Sequence, residues 1–95
     1  VNTNATIDHE CIVGNGCHFM GSSAVSGMVT IEDYVTVGTN ATILPNLKIG
    51  TGSYIGAGSV VISDVPSNHV VVGNPAKFLK MNKQEYDISF FNKDS

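Results

Sequence analysis

Arginine is absent from this chain of 95 residues, and its other cationic side chains are few. Five lysines stand against eight aspartates and glutamates, so the formal net charge is -3. A nucleic-acid partner requires a basic stripe or patch on one face of the protein. The composition therefore argues against a nucleic-acid partner.

Long apolar runs, a signal peptide and a cysteine motif are also missing. No run approaches the roughly 20 apolar residues that span a bilayer, and no stretch has the order of a signal peptide. We therefore predict no membrane association and a cytoplasmic location. The two cysteines, Cys11 and Cys17, lack the close pairing of a zinc or redox motif, and we interpret them as core residues of a reduced protein.

The chain is also short, and a core of this size is usually marginal unless neighbouring subunits bury more surface. An oligomer is therefore predicted. The sequence begins at Val1 without a methionine and already in the register of a repeat. We expect that further sequence precedes it in the whole protein.

A period of six residues organises most of the sequence. The first place of each hexad is apolar, and the fifth is small or apolar. A helix would show a period near 3.6 and a flat strand a period near 2, so short strands joined by tight corners are predicted. Eleven hexads fit residues 1–66 without a gap. The first-place residues are Val1, Ile7, Val13, Phe19, Val25, Ile31, Val37, Ile43, Ile49, Ile55 and Val61.

Three hexads close one triangular coil, and stacked coils pair each strand with its copies above and below. Corners need residues that tolerate a positive φ, and the fourth place of the hexad provides them. The predicted fold is therefore an all-β parallel solenoid with three hexads per coil. The corner residues of this kind are Asn4, Gly16, Asn40, Asn46, Gly52 and Gly58.

The repeat fails after Val65, where a proline, a serine and an asparagine interrupt the register. One more extended stretch is predicted from His69 to Val72. We assign residues 1–77 to the β-helix domain and residues 78–95 to a C-terminal tail. The tail composition is compatible with a strand or a short helix.

Two histidines stand where the repeat pattern is broken. His9 and Glu10 occupy a corner where glycine or asparagine is usual, and His18 takes an outward place on a flat face. A neutral imidazole can accept a proton from an attacking hydroxyl or amine, and a carboxylate can fix its tautomer. His9 with Glu10 or Asp8 supplies both parts. A plain solvated turn at His9 and interface packing of His18 are the alternatives.

Gly27 lies three hexads after His9, at the same corner of the next coil. A glycine leaves its amide approachable, and an amide beside a reacting carbonyl can stabilise an oxyanion. A corner glycine that is needed only for its φ is the alternative interpretation, and the two are compatible.

The chain resembles the sialic acid O-acetyltransferase and UDP-N-acetylbacillosamine N-acetyltransferase family of hexapeptide-repeat enzymes from Val1 to about Lys80. The resemblance rests on three segments and on the spacing of the candidate residues. His18 follows His9 by nine residues, and Gly27 follows His18 by nine. These segments are IDHECIVG at 7–14, ILPN at 43–46 and VGNPAK at 72–77. The resemblance implies a left-handed β-helix, an acetyl-CoA donor, no metal and a homotrimer with donor grooves between subunits.

The same resemblance implies a role for each candidate residue. His9 matches the general base and Glu10 its carboxylate partner, while His18 matches the residue that contacts the acetyl donor. The Gly27 amide would meet the thioester carbonyl. The acceptor would be the amine or hydroxyl of a sugar or nucleotide sugar. An N-terminal domain that binds the sugar nucleotide is usual in this family and is not part of this sequence.

Lys77 and Lys80 lie beside the Gly-Asn-Pro-Ala turn, in a lysine-rich end of the chain. We predict that one or both approach the phosphates of the coenzyme, since point charges suit phosphate binding. A solvated lysine-rich surface is the alternative.

His9 and His18 are nine residues apart, which is half of a three-hexad coil, so they fall on opposite sides of the triangle. A face of six extended residues puts the two imidazoles on the order of 15 Å apart within one chain. A site that joins His9 of one subunit to His18 of the next, three per trimer, is therefore predicted.

Two other functions use this fold. A zinc hydratase of the γ-carbonic-anhydrase type needs three converging histidines, and the three histidines of this chain lack the paired spacing of that group. A non-catalytic scaffold or ice-binding solenoid would carry a threonine ladder on one face. Thr30, Thr36 and Thr42 instead fall on three successive faces.

Overall fold

The computed structural model describes residues 4–82, in which every regular element is a β-strand. Ten strands of two residues follow one another at intervals of one hexad, and two longer strands end the series. The strands are β1 (Thr6–Ile7), β2 (Ile12–Val13), β3 (His18–Phe19), β4 (Ala24–Val25), β5 (Thr30–Ile31), β6 (Thr36–Val37), β7 (Thr42–Ile43), β8 (Lys48–Ile49), β9 (Tyr54–Ile55), β10 (Val60–Val61), β11 (His69–Val72) and β12 (Lys77–Met81).

Three sheets form the faces of a triangular coil. The first face contains β1, β4, β7 and β10, the second β2, β5 and β8, and the third β3, β6, β9, β11 and β12. Neighbouring strands of the regular coils pair in parallel with an offset of three hexads, as Thr6 does with Ala24. The predicted parallel β-helix with three hexads per coil is therefore confirmed.

The first-place residues form the core, as predicted. From Phe19 to Val61 each of them is at most 4% exposed. Burial is weaker in the first coil, where Ile7 is half-buried and Val13 is 39% exposed. The described residues stack on this coil from one side only, because β1, β2 and β3 each stand at the edge of a sheet.

Cys11 and Cys17 also belong to this first coil, so they are half-buried rather than enclosed. Both pack against the core. Their thiols donate to backbone carbonyls of the next coil, Cys11 to Ser26 at 3.0 Å and Cys17 to Glu32 at 3.1 Å. The two cysteines are free, which agrees with the interpretation that they are packing residues.

The fourth place of the hexad takes a positive φ, between 59° and 75°, at nine corners. Ser22, Met28 and Tyr34 do so although the left-handed region costs such residues about 1–2 kcal/mol each. The stacked strands on both sides hold these three corners at a positive φ. The residue types at the corners do not indicate this conformation, so the sequence pattern did not predict it. The full set is Asn4, Gly16, Ser22, Met28, Tyr34, Asn40, Asn46, Gly52 and Gly58.

The prediction of eleven regular hexads is wrong at the last one. Val61 pairs with Ile43, three hexads earlier, but Val65 bridges to Ile49, and this offset is two residues short of a full coil. Val65 therefore occupies the position of a first-place residue, two residues earlier in the sequence than the six-residue repeat predicts. The Asp64 carboxylate supports this shortened corner, since it accepts the Lys48 N–H at 2.9 Å.

The predicted extended stretch from His69 to Val72 is confirmed as β11, which pairs in parallel with β9. The chain then turns through a cis Asn74–Pro75 peptide bond, and β12 returns antiparallel to β11. β12 runs across the domain boundary predicted at residue 77, so the tail begins as a strand. Residues 83–95 lie outside the described residues.

Replacement of Gly38 by alanine is expected to destabilise the solenoid far more than the same change at Gly27. Neither glycine has a positive φ. A Cβ at Gly38 would lie 2.7 Å from the Ala57 nitrogen and 2.8 Å from the Ile55 oxygen, whereas a Cβ at Gly27 would meet the Asp8 carboxylate at 3.5 Å. The expected loss of unfolding free energy is about 2 kcal/mol for Gly38→Ala and under about 1 kcal/mol for Gly27→Ala. Urea unfolding followed by circular dichroism measures both, and equal midpoints would contradict the close stacking.

Candidate active site

His9 lies at the corner between β1 and β2, where the first and second faces meet. Its side chain is 92% exposed, and its Nδ1 lies 3.5 Å from Oδ1 of Asp8. The same Asp8 oxygen accepts the backbone N–H of Glu10 at 3.0 Å. The structure therefore brings a solvent-accessible imidazole and a carboxylate together at this corner.

Glu10, the carboxylate partner that the resemblance implies, is exposed. Its side chain makes no hydrogen bond or ion pair with any residue in 4–82. Asp8, which the sequence left open as the alternative, is the carboxylate in contact with His9. The role of Asp8 in the corner was missed, although an aspartate two residues before an irregular corner position is a signal for a side-chain-capped turn.

Gly27 lies at the same corner of the next coil, as predicted, because β1 pairs with β4 and β2 with β5. Its φ is not positive, so the interpretation that this glycine is needed for φ is wrong. Its carbonyl accepts the Asn46 N–H at 3.1 Å, but its own N–H has no acceptor among the described residues. This N–H is therefore available to a ligand that reaches the corner.

His18 lies in β3, on the third face, which is opposite the corner that carries His9. It is exposed, and it stands in an outward column with Thr36 and Tyr54. The two imidazoles do not share a face or a corner within one chain. The structure thus gathers His9, Asp8 and Gly27, and separates His18 from them.

Lys77 and Lys80 are exposed residues of β12. Neither ammonium group forms an ion pair within residues 4–82. β12 and β3 are the two outer strands of the third face. With about 4.8 Å between neighbouring strands, the four steps from β3 to β12 amount to about 19 Å. His18 and the two lysines therefore lie at opposite ends of one face.

The described residues support neither alternative function, the zinc hydratase or the threonine-bearing scaffold. The described residues contain no group of three histidine, cysteine, aspartate or glutamate side chains that could hold a metal ion. Thr30, Thr36 and Thr42 lie in β5, β6 and β7, on three different faces.

Residues 4–82 also contain no helix that is long and apolar enough to cross a membrane.

A cavity of about 240 Å³ lies apart from the His9 corner, at the shortened corner near the end of the solenoid. Glu32 and Lys48 line it and form an ion pair of 3.4 Å, and Glu32 also accepts the Thr51 N–H at 3.1 Å. None of the predicted site residues lines this cavity. Its polar groups are engaged with one another, so we interpret it as part of the solenoid end.

Comparison with known proteins agrees with this geometry. Residues 28–63 match the family described as bacterial transferase hexapeptide (six repeats). A 2,3,4,5-tetrahydropyridine-2,6-dicarboxylate N-acetyltransferase of Clostridium perfringens is 58% identical over 50 residues, which cover 53% of this chain and 21% of that protein. The chain thus spans about a fifth of the length of this curated relative.

Two solved structures share the fold with a TM-score of 0.81 each, over 83% of this chain and 38% of theirs. One is a variant of perosamine N-acetyltransferase from Caulobacter crescentus in complex with CoA and GDP-perosamine, 35% identical. The other is the acetyltransferase domain of PglB from Neisseria gonorrhoeae in complex with acetyl coenzyme A, 38% identical. The resemblance to the hexapeptide-repeat acyltransferases is therefore confirmed.

Proposed function

We propose that the protein transfers an acetyl group from acetyl-CoA to an amine or hydroxyl of a sugar or nucleotide sugar. The observation that carries this proposal is the corner where the exposed His9 imidazole contacts a carboxylate beside the Gly27 N–H, which has no acceptor within residues 4–82. Structures of similar fold hold CoA together with GDP-perosamine, or acetyl coenzyme A. A cytoplasmic location, where acetyl-CoA is made and used, is part of the proposal.

In the proposed reaction, His9 accepts the proton of the attacking amine or hydroxyl as this group bonds to the thioester carbonyl carbon. The Gly27 N–H donates a hydrogen bond to the carbonyl oxygen, which gains negative charge in the transition state. The carbon–sulfur bond then breaks. The imidazolium returns the proton to the departing sulfur, so the products are the acetylated acceptor and the free thiol of coenzyme A.

The donor is proposed to lie along the third face of one subunit, in a groove between subunits of a homotrimer. His18 would contact the acetyl end, while Lys77 and Lys80 at the other end of that face would approach the phosphates. His9 of the neighbouring subunit would complete the site. Each trimer would then contain three equivalent sites.

His9→Ala is expected to lower turnover about 100-fold or more, because the reaction loses its general base. Release of coenzyme A thiol is measured with amino-sugar nucleotides and sialic acid as acceptors, which also separates N- from O-transfer. His69→Ala is the control, because His69 packs at a tilted angle against Phe78 near the end of the solenoid, away from the His9 corner. Turnover of His9→Ala at the parent rate with an accepted substrate would show that the base is assigned wrongly.

The double replacement of Lys77 and Lys80 by alanine is expected to raise the KM for acetyl-CoA several-fold with little change in kcat. Both charges would be lost from the end of the groove, while the reacting corner stays intact. Lys48→Ala is the matched control, since Lys48 is paired with Glu32 on the second face. An unchanged KM in the double variant would remove the two lysines from the donor site.

Mixed trimers test whether two subunits share the site. His9→Ala and His18→Ala subunits, each weakly active alone, are expected to regain activity when unfolded together and refolded. Some interfaces then combine an intact His18 with an intact His9. Mass spectrometry of differently tagged subunits verifies that mixed trimers form. If they form and activity stays at the level of the single variants, the two histidines do not act across an interface.

A further inference from the structure

The corner that carries His9 departs from the pattern of the other corners. From Asn4 to Gly58, the fourth place of the hexad has a positive φ at every corner except at Glu10. The irregular corner at Glu10 does not change the strand register, because β2 still pairs with β5 at the regular offset. A local interaction must therefore hold this corner in its different shape.

The backbone ladder between corners is interrupted at the same place. At the regular corners the fourth-place N–H donates to the third-place carbonyl of the coil before, but no such bond joins Met28 to His9 in the described residues. His9 is thus released from the ladder that fixes its equivalents. The regular pairs are Tyr34 to Asn15 at 2.8 Å, Asn40 to Gly21 at 3.1 Å, Asn46 to Gly27 at 3.1 Å, Gly52 to Asp33 at 2.9 Å and Gly58 to Thr39 at 2.8 Å.

Asp8 supplies the interaction that replaces the ladder. Its Oδ1 accepts the Glu10 N–H at 3.0 Å, which closes a turn between side chain and backbone, and the same oxygen lies 3.5 Å from Nδ1 of His9. The side chain is 40% exposed, compared with 92% for His9, so Asp8 is the more firmly placed partner. Its Oδ2 faces Gly27, 3.5 Å from the position of a Cβ there.

We propose that Asp8, rather than Glu10, is the positioning residue that orients His9 and selects its tautomer; this rests on the proposed function. A carboxylate at Nδ1 favours the form in which Nδ1 carries the hydrogen, which leaves the lone pair of Nε2 free to accept the proton. The negative charge then stabilises the imidazolium formed during the transfer. Glu10 contributes its backbone N–H to the turn.

The kinetic test uses Asp8→Asn, whose amide oxygen still accepts the Glu10 N–H but carries no charge. Its kcat is expected to fall at least about 10-fold, a part of what a general base contributes, with the KM for acetyl-CoA nearly unchanged. Glu10→Gln is expected to lose clearly less. Asp33→Asn is the matched control, because Asp33 caps the Asn15 N–H at 2.8 Å at another corner, where no histidine lies.

The spectroscopic test separates orientation of the imidazole from a purely structural role. Long-range proton–nitrogen correlation NMR reports which nitrogen of His9 carries the hydrogen, and His9→Ala identifies its signals among the three histidines. The Nδ1–H population of His9 is expected to fall in Asp8→Asn and to stay constant in Glu10→Gln. If Asp8→Asn does not fold, Asp8→Ser takes its place, since a serine hydroxyl also caps such a turn.

The outcomes separate this inference from the proposed function. A loss of turnover and a changed tautomer in Glu10→Gln, with Asp8→Asn normal, would assign the role to Glu10. Parent-like kinetics and tautomer populations in both variants would show that neither carboxylate positions His9. Either result overturns the inference and leaves the acetyl transfer intact. A fully active His9→Ala would instead overturn the proposed base, whatever Asp8 does.

Discussion

The pairing of each two-residue strand with its copy in the next coil is the interaction on which the rest of the structure depends. A strand of two residues has no stability of its own, so the ladder between coils must hold it. The ladder also fixes the side-chain directions, because the second residue of each strand, as in Ile31 and Ile43, points into the core. The corners are then the positions at which residue type and backbone conformation can vary.

The proposed site lies where that ladder is interrupted, at one corner of the part of the chain that the structure describes. At this corner the bond from the Met28 N–H to the His9 carbonyl is absent in the described residues, and the Asp8 carboxylate accepts the Glu10 N–H instead. The core beneath is unchanged, since Ile31 and Val25 stay buried. In the proposed function, the solenoid would supply rigid support while one corner carries the reactive groups, a division that is common in enzymes with regular scaffolds.

The sequence predicts the coil well because its first-place column must fill the core in every turn. The corners are less predictable. Met28 and Tyr34 carry no preference for a positive φ, and only the strands on either side impose it. Val65 is misplaced by two residues, since an apolar residue fits either inward column and the Asp64 bond that shortens the corner is not visible in the pattern. Likewise, the sequence offers Asp8 and Glu10 equally to His9, and only the turn geometry separates them.

The antiparallel return of β12 has a consequence for assembly of the solenoid. A β-helix that ends in a free parallel strand offers an open edge on which a coil of another molecule can stack, and repeated stacking gives filaments. On the third face β12 covers that edge with a strand of opposite direction that carries two exposed lysines. A second solenoid that approached this edge would meet two exposed positive charges, which form no ion pair within residues 4–82. At this end of the third face, the charged strand β12 thus opposes edge-to-edge association.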